Sequence, residues 1–151
     1  MNKVKLGLFS VLLLLGAAKT AMADDCQLTI DANDAMAFSA NQMSAPASCK
    51  EVTVTLNHTG RLPANTMGHN WVLTTAGDFK DVATAGMSAG LDNHYVPQGD
   101  ARVLAATKII GGGETDSITF STEALTAGEE YTFFCSFPGH WAIMKGSFKL
   151  M

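Results

Sequence analysis

The segment Lys50-Glu-Val-Thr-Val-Thr-Leu-Asn57 narrows the possible folds more than any other. Val52, Val54 and Leu56 fall on one face and Thr53 and Thr55 on the other, the period of two that suits a half-buried strand and not a helix. β-branched residues occupy both faces, as a pleated surface favours. The pattern recurs along the chain. Cys26-Gln-Leu-Thr-Ile-Asp31 and Asp116-Ser-Ile-Thr-Phe-Ser121 alternate in the same way. Trp71 to Thr75, Arg102 to Ile110, Tyr131 to Phe134 and Lys145 to Leu150 read as further strands, and Ala35 to Met43 as a weaker one. Turn residues separate them at Asn33-Asp34, Pro46, His58-Thr59-Gly60, Gly111-Gly-Gly113 and Ala127-Gly128. Only from Asp78 to Gly90 does the spacing lengthen. There Phe79, Val82, Ala83, Met87 and Leu91 recur every three or four residues, which predicts one short helix weakened by Gly86 and Gly90. Seven or eight short strands with one inserted helix argue an all-β sandwich of Greek-key type.

The first 23 residues stand apart from this pattern. Lys3 and Lys5 precede an apolar run from Leu6 to Ala18, followed by Ala21-Met22-Ala23. That order is expected of a secretory signal peptide cleaved after residue 23, leaving 24–151 as a single domain. The apolar run is too short for the roughly 20 residues a membrane span needs. Ala23-Asp24-Asp25 is also the wrong neighbourhood for a lipid on Cys26, so no stable membrane association is expected. Without Lys3, Lys5 and Lys19 the remainder carries seven Lys and Arg against 14 Asp and Glu. No basic cluster could follow a phosphate backbone, which argues against nucleic acid as a partner. An exported chain meets an oxidising compartment, and its three cysteines allow three pairings on arithmetic alone.

The chemistry concentrates in Tyr131-Thr-Phe-Phe-Cys-Ser-Phe-Pro-Gly-His-Trp-Ala-Ile-Met-Lys-Gly146. An apolar strand ends in the thiol of Cys135, and one short loop then brings the imidazole of His140 and the thioether of Met144. A soft thiolate, an imidazole and a weak thioether make up most of a blue-copper electron-transfer centre, which requires a second histidine. His69 is the candidate, set between Gly68 and Asn70 ahead of a strand. A plain strand, a Pro-Gly turn and a core methionine would account for Pro138, Gly139 and Met144. It would give no reason for an odd thiol in an oxidising compartment.

Together these residues resemble the azurins, bacterial blue-copper proteins of the cupredoxin class. The likeness runs from Cys26 and Cys49 through Asn33-Asp34, Met67-Gly-His-Asn-Trp-Val-Leu73 and Thr107-Lys108. It continues through Phe133-Phe-Cys-Ser-Phe-Pro-Gly-His140 and Met144-Lys-Gly146. The resemblance implies one copper ion in a plane of His69, Cys135 and His140. Met144 would be a long axial contact and the Gly68 carbonyl a second one opposite. It further implies that Asn70 tethers the two ligand loops and that the Phe137 amide points at the sulfur, withdrawing charge from it. With Cys135 given to the metal, Cys26 and Cys49 are left to pair.

The same resemblance places the electron's exit at the His140 ring edge. Around it would lie a docking patch of Met36, Leu62, Met67, Phe137 and Gly139, flanked by Arg61 and Trp141. Transient partners would be periplasmic c-type cytochromes, dehydrogenases, and terminal reductases or oxidases. Two departures stand out. His58 matches a buried histidine whose protonation, in some members, couples to a rearrangement at a following proline, and Thr59 stands there instead. Ala106 replaces a surface histidine of other members.

Other functions fit less well. A multicopper oxidase or nitrite reductase needs further histidine clusters, and no His-x-His occurs in the sequence. A copper-delivery protein would display clustered methionines, whereas Met36, Met43, Met67, Met87, Met144 and Met151 are dispersed. Zinc could occupy a His₂Cys site but carries no electrons. A periplasmic carrier that catalyses no reaction of its own is the expectation.

Overall fold

The computed structural model describes residues 25–151, so the leader expected over 1–23 lies outside the described residues. Nine strands form two sheets: β1 (Gln27–Asn33), β2 (Ala37–Phe38), β3 (Gln42–Ala45), β4 (Glu51–His58), β5 (Val72–Thr75), β6 (Ala105–Ala106), β7 (Thr115–Ser121), β8 (Glu130–Phe134) and β9 (Lys145–Leu150). Two helices interrupt them, α1 (Ala64–Met67) and α2 (Phe79–Ala89). One sheet has the order β2-β1-β4-β7 and the other β3-β9-β8-β5-β6. The β1–β4 and β3–β9 pairs are parallel and the rest antiparallel. The expected two-sheet sandwich is the fold that forms.

Alternation decides which side chains meet between the sheets. Val52, Val54 and Leu56 of β4 are fully buried, while Thr53 and Thr55 face outward. The outward hydroxyls bond those of Thr119 and Ser117 on β7, at 2.8 and 2.9 Å. Trp71 is wholly buried, with ring centroids 6.0 Å from both Phe120 and Phe133. β8 ends in two phenylalanines because both faces are covered there. Phe133 enters the main core, whereas Phe134 packs with Val72, Phe79, Val82, Ala83 and Val96 beneath α2. The disulfide joins Cys26 to Cys49 and leaves Cys135 free and buried. In the chain-entropy account a bridge across so many residues contributes about 3 kcal/mol.

Three elements differ from the sequence reading. The weak strand expected over 35–43 is two strands, β2 and β3, which belong to opposite sheets. Between them Ser39 takes both main-chain groups of Asp31, its N–H donating to the Asp31 carbonyl and its Oγ accepting the Asp31 N–H. The strand expected over 102–110 pairs regularly only at Ala105–Ala106, although Leu104, Thr107 and Ile110 still donate to Leu73, Trp71 and His69. Its ladder is interrupted because Lys108 N–H goes to the Asp116 carboxylate and Ile109 N–H to His94 Nδ1. On α2, Met87 is 43% exposed and Gly86 is buried in its place. A side chain at Gly86 would collide with the Tyr95 carbonyl, so that glycine permits close packing.

The Trp71 indole N–H is the buried side-chain polar group without a hydrogen-bond partner among the described residues. An excited indole with no partner and no exposure to solvent cannot relax its surroundings. Trp141, half-buried, should emit further to the red. The variant Trp141→Phe should therefore keep a narrow, strongly blue-shifted emission that moves to the hydrated position only on unfolding. A hydrated spectrum from the folded variant would contradict the burial of Trp71.

Candidate metal centre

Two neighbouring strands, β5 and β8, supply the centre just beyond the point where their pairing stops. The last pair is Val72 with Phe134, and continuing that register would set Trp71 opposite Cys135 and Asn70 opposite Ser136. Instead the strands part. The Asn70 side chain spans the gap, its Oδ1 accepting the Ser136 N–H at 2.8 Å. Its Nδ2 donates to the His94 carbonyl at 2.9 Å and to Ser136 Oγ at 2.8 Å. Asn70 is fully buried, so these bonds have no competing water.

Cys135 and Met144 face each other across the β8–β9 hairpin, with Cys135 N–H donating to the Met144 carbonyl at 3.0 Å. The loop between them reverses at Gly139, whose φ of 83° suits glycine. His140 then opens a short 3-10 turn, and its carbonyl receives the Met144 N–H at 2.7 Å. His69 is held from the other side by reciprocal main-chain bonds with Ile110, at 3.1 and 2.9 Å. Gly68 precedes it where a Cβ would strike the Ala64 carbonyl and the Ile109 side chain.

These elements bring three donors together. Cys135 Sγ lies 3.7 Å from His69 Nδ1 and 3.6 Å from His140 Nδ1, and the Gly68 carbonyl oxygen is 3.9 Å from the sulfur. The His69, Cys135 and His140 ligand atoms all lie within 4.8 Å of one another. Metal bonds of about 2.0 Å to nitrogen and about 2.3 Å to sulfur span about 3.7 Å at a trigonal angle and about 3.5 Å at a tetrahedral one. The observed 3.7 and 3.6 Å fall within that range, so the donor set fits a metal ion.

Hydrogen bonds present the right nitrogen. His69 Nε2–H donates to the Asn33 carbonyl at 2.9 Å, leaving the Nδ1 lone pair toward the sulfur. Burial lowers the His69 pKa to about 4, against the opposing pull of the Asn33 carbonyl, and burial also lowers that of His140. Both rings are therefore neutral at pH 7 and able to bind metal. Burial pushes the Cys135 thiol up to about 12, opposed by the Asn70 and Phe137 amides directed at the sulfur. A metal ion must displace that proton to bind, which couples loading to pH.

The remaining expected residues also find places. Met144 is 1% exposed and lies in the same core as Cys135. Phe137 rests on the His140 ring at 4.6 Å and meets Tyr95 edge-on at 5.3 Å. Met36 and Leu62 are 38% and 39% exposed; Met67 and Phe137 are half-buried and Gly139 is exposed. Trp141 packs edge-on against Phe79 of α2 at 5.9 Å. His58 stands 4.6 Å from the His69 ring, yet both of its nitrogens serve the main chain. Its Nε2 donates to the Met67 carbonyl and its Nδ1 accepts the Gly60 N–H. The Asp34 carboxylate lies 3.9 Å from that Nε2.

Sequence reasoning missed the carbonyls of Asn33 and His94, because a main-chain acceptor has no side-chain signature. Ile143, on the ligand loop itself, is 62% exposed.

Residues 24–151 match the model of the copper binding proteins of the plastocyanin/azurin family. The chain belongs to that family. It is 52% identical over 139 residues to an azurin of Achromobacter denitrificans, covering 92% of this chain and 93% of the relative. An azurin of Pseudomonas aeruginosa is 51% identical over 146 residues, 97% of each chain. A solved azurin, Az-iso2 from the obligate methylotroph Methylomonas sp. strain J, superposes with a TM-score of 0.80 at 49% identity. That alignment covers 83% of this chain and 98% of the other. Membership in the plastocyanin/azurin family and the buried His-Cys-His cluster together assign one copper ion and support a blue-copper electron carrier.

Replacing Asn70 with Ala should orphan the buried Ser136 amide and leave a small void. We expect a loss of about 2 to 4 kcal/mol in the metal-free protein, read from the midpoint of denaturant unfolding. A change under about 0.5 kcal/mol, inside the usual scatter of surface substitutions, would mean that the bridge between the strands carries no weight.

Proposed function

We propose that the chain is a periplasmic one-electron carrier which docks briefly with c-type cytochromes, dehydrogenases and terminal reductases or oxidases, and catalyses no reaction of its own. The observation that carries this reading is a buried thiol with two neutral imidazole nitrogens 3.6 and 3.7 Å from its sulfur. Copper held by these residues would supply one-electron Cu(II)/Cu(I) chemistry, with thiolate and thioether suiting the reduced ion and imidazole both.

The protein's own groups do the rest. His69, Cys135 and His140 would be the main ligands, with Met144 and the Gly68 carbonyl as weaker ones. The amides of Asn70 and Phe137 draw charge from the sulfur and thereby favour the reduced state. His69, Cys135 and Met144 are 0%, 0% and 1% exposed, which leaves no opening for a substrate. His140, at 3%, is the most exposed of these residues and is the exit we assign to the electron. Met36, Leu62, Met67, Phe137 and Gly139 would surround it as an apolar contact suited to rapid release. Export is supported by the leader pattern over 1–23 and by the Cys26–Cys49 disulfide.

The copper(II) protein should show an intense visible thiolate-to-copper band and an unusually small copper hyperfine splitting. A pale, tetragonal spectrum would contradict the reading. In the variants, Cys135→Ser should lose the band, whereas Met144→Leu should retain it and raise the potential in voltammetry. Equal behaviour of the two would remove Met144 from the site.

A further inference from the structure

The segment from His58 to Leu62 is bonded at every main-chain N–H. His58 donates to the Glu114 carbonyl and Thr59 to that of Ala32, at 2.9 and 2.8 Å. Gly60 donates to His58 Nδ1 at 3.0 Å, and Arg61 and Leu62 to the Asp34 carboxylate at 2.8 and 3.3 Å. Pro63 follows, with no N–H to satisfy. Gly112 closes the far side, where a Cβ would meet the Arg61 main chain at 2.5 Å. The fixed loop carries Arg61 and Leu62 outward, both exposed.

Their surroundings narrow the purpose. Asp34 belongs to the turn that bears Met36 and, through the Asn33 carbonyl, holds His69. The Arg61 loop therefore abuts the apolar margin of the metal centre. No carboxylate among the described residues pairs with its guanidinium. The acids at this end of the sandwich have other donors. Asp31 takes the Asn57 amide, Asp34 two main-chain N–H groups, Glu114 the Gly111 N–H and Asp116 the Lys108 N–H. Elsewhere Arg102 pairs with Asp100 and Asp81, and Lys149 with Glu130. In a net-acidic protein, a rigidly presented cation beside the docking margin lacks any partner within its own fold.

We propose that Arg61 selects the redox partner: its guanidinium pairs with an acidic side chain bordering the exposed haem edge of a c-type cytochrome. The inference rests on the carrier reading above. Presenting the cation on a fixed main chain lowers the ordering cost of docking, and one exposed ion pair tunes encounter without slowing release. In the encounter one electron passes from ferrous haem to the oxidised copper protein, and no proton or bond changes hands.

The probes are a lysine-ringed cytochrome c and the same cytochrome succinylated so that its lysines bear carboxylates. Reduction of the copper protein by each is followed by stopped-flow at low and at high ionic strength. With the succinylated form, Arg61→Gln should slow the second-order rate about two- to fivefold, the range of one exposed ion pair. Arg61→Glu should slow it further, and Arg61→Lys should retain most of it. Salt should merge the variants, and the lysine-ringed form should reverse their order. Lys50→Glu, at the other end of β4, makes the same change in net charge and should have a smaller effect. The proposal fails if Lys50→Glu slows the reaction as much as Arg61→Glu, or if the Arg61 variants match wild type with both cytochromes. It fails too if their rates differ equally in high salt or their copper band shifts. Slow electron self-exchange of the wild type, by NMR line broadening, would instead overturn the carrier reading itself.

Discussion

One buried side-chain amide makes the metal centre possible. β5 and β8 must run together to form a core and then separate to admit an ion, and parting strands leave main-chain groups without partners. Asn70 stands where the register would have paired it with Ser136, and its side chain does what a peptide group would have done there. It accepts the Ser136 N–H and donates to the His94 carbonyl, and both bonds lie in the interior. Aspartate would add a buried charge, and a shorter residue could not reach. The gap thus opens at the sulfur without unpairing the interior.

That arrangement holds donors that would otherwise resist being packed together. Two imidazoles and a thiol in an apolar interior are tolerable because each is neutral there. The same burial that keeps the rings neutral raises the thiol, so the site is assembled and the exchange of a proton for a metal ion is what remains. His58 shows what this demands of the surroundings. A third ring packs against His69, and the Met67 carbonyl and the Gly60 N–H keep it from competing as a ligand by occupying both its nitrogens.

Much of this was legible in the sequence, for physical reasons. The strands β4, β7 and β9 carry their alternation openly, since one face meets the core and the other does not. Cys135, His140 and Met144 were legible because ligand chemistry is written in side chains closely spaced on one loop. The split of 35–43 into β2 and β3 was not, because the crossing depends on Ser39 binding Asp31, a contact between segments. The interrupted strand at 102–110 was hidden for the same reason: the groups that break its ladder come from Asp116 and His94. Met87 was misplaced because the helix period gives a direction, whereas Tyr95 decides what packs there.

The interior and the rim are built from different materials, and the separation has a consequence. The donors are fixed by strand ends and by Asn70, whereas Met36, Arg61 and Leu62 stand on loops that contribute no donor to the cluster. Those loops are nonetheless stiff. Met36 adopts a left-handed φ of 54°, a conformation that costs a non-glycine residue about 1 to 2 kcal/mol, and the Asn33 turn holds it there through the Met36 N–H. A surface that is rigid yet makes few contacts with its own core can change its side chains without moving the ligands. The side chains of Met36, Arg61 and Leu62 can then vary independently of the donors, because the main chain that joins them transmits position and not side-chain identity.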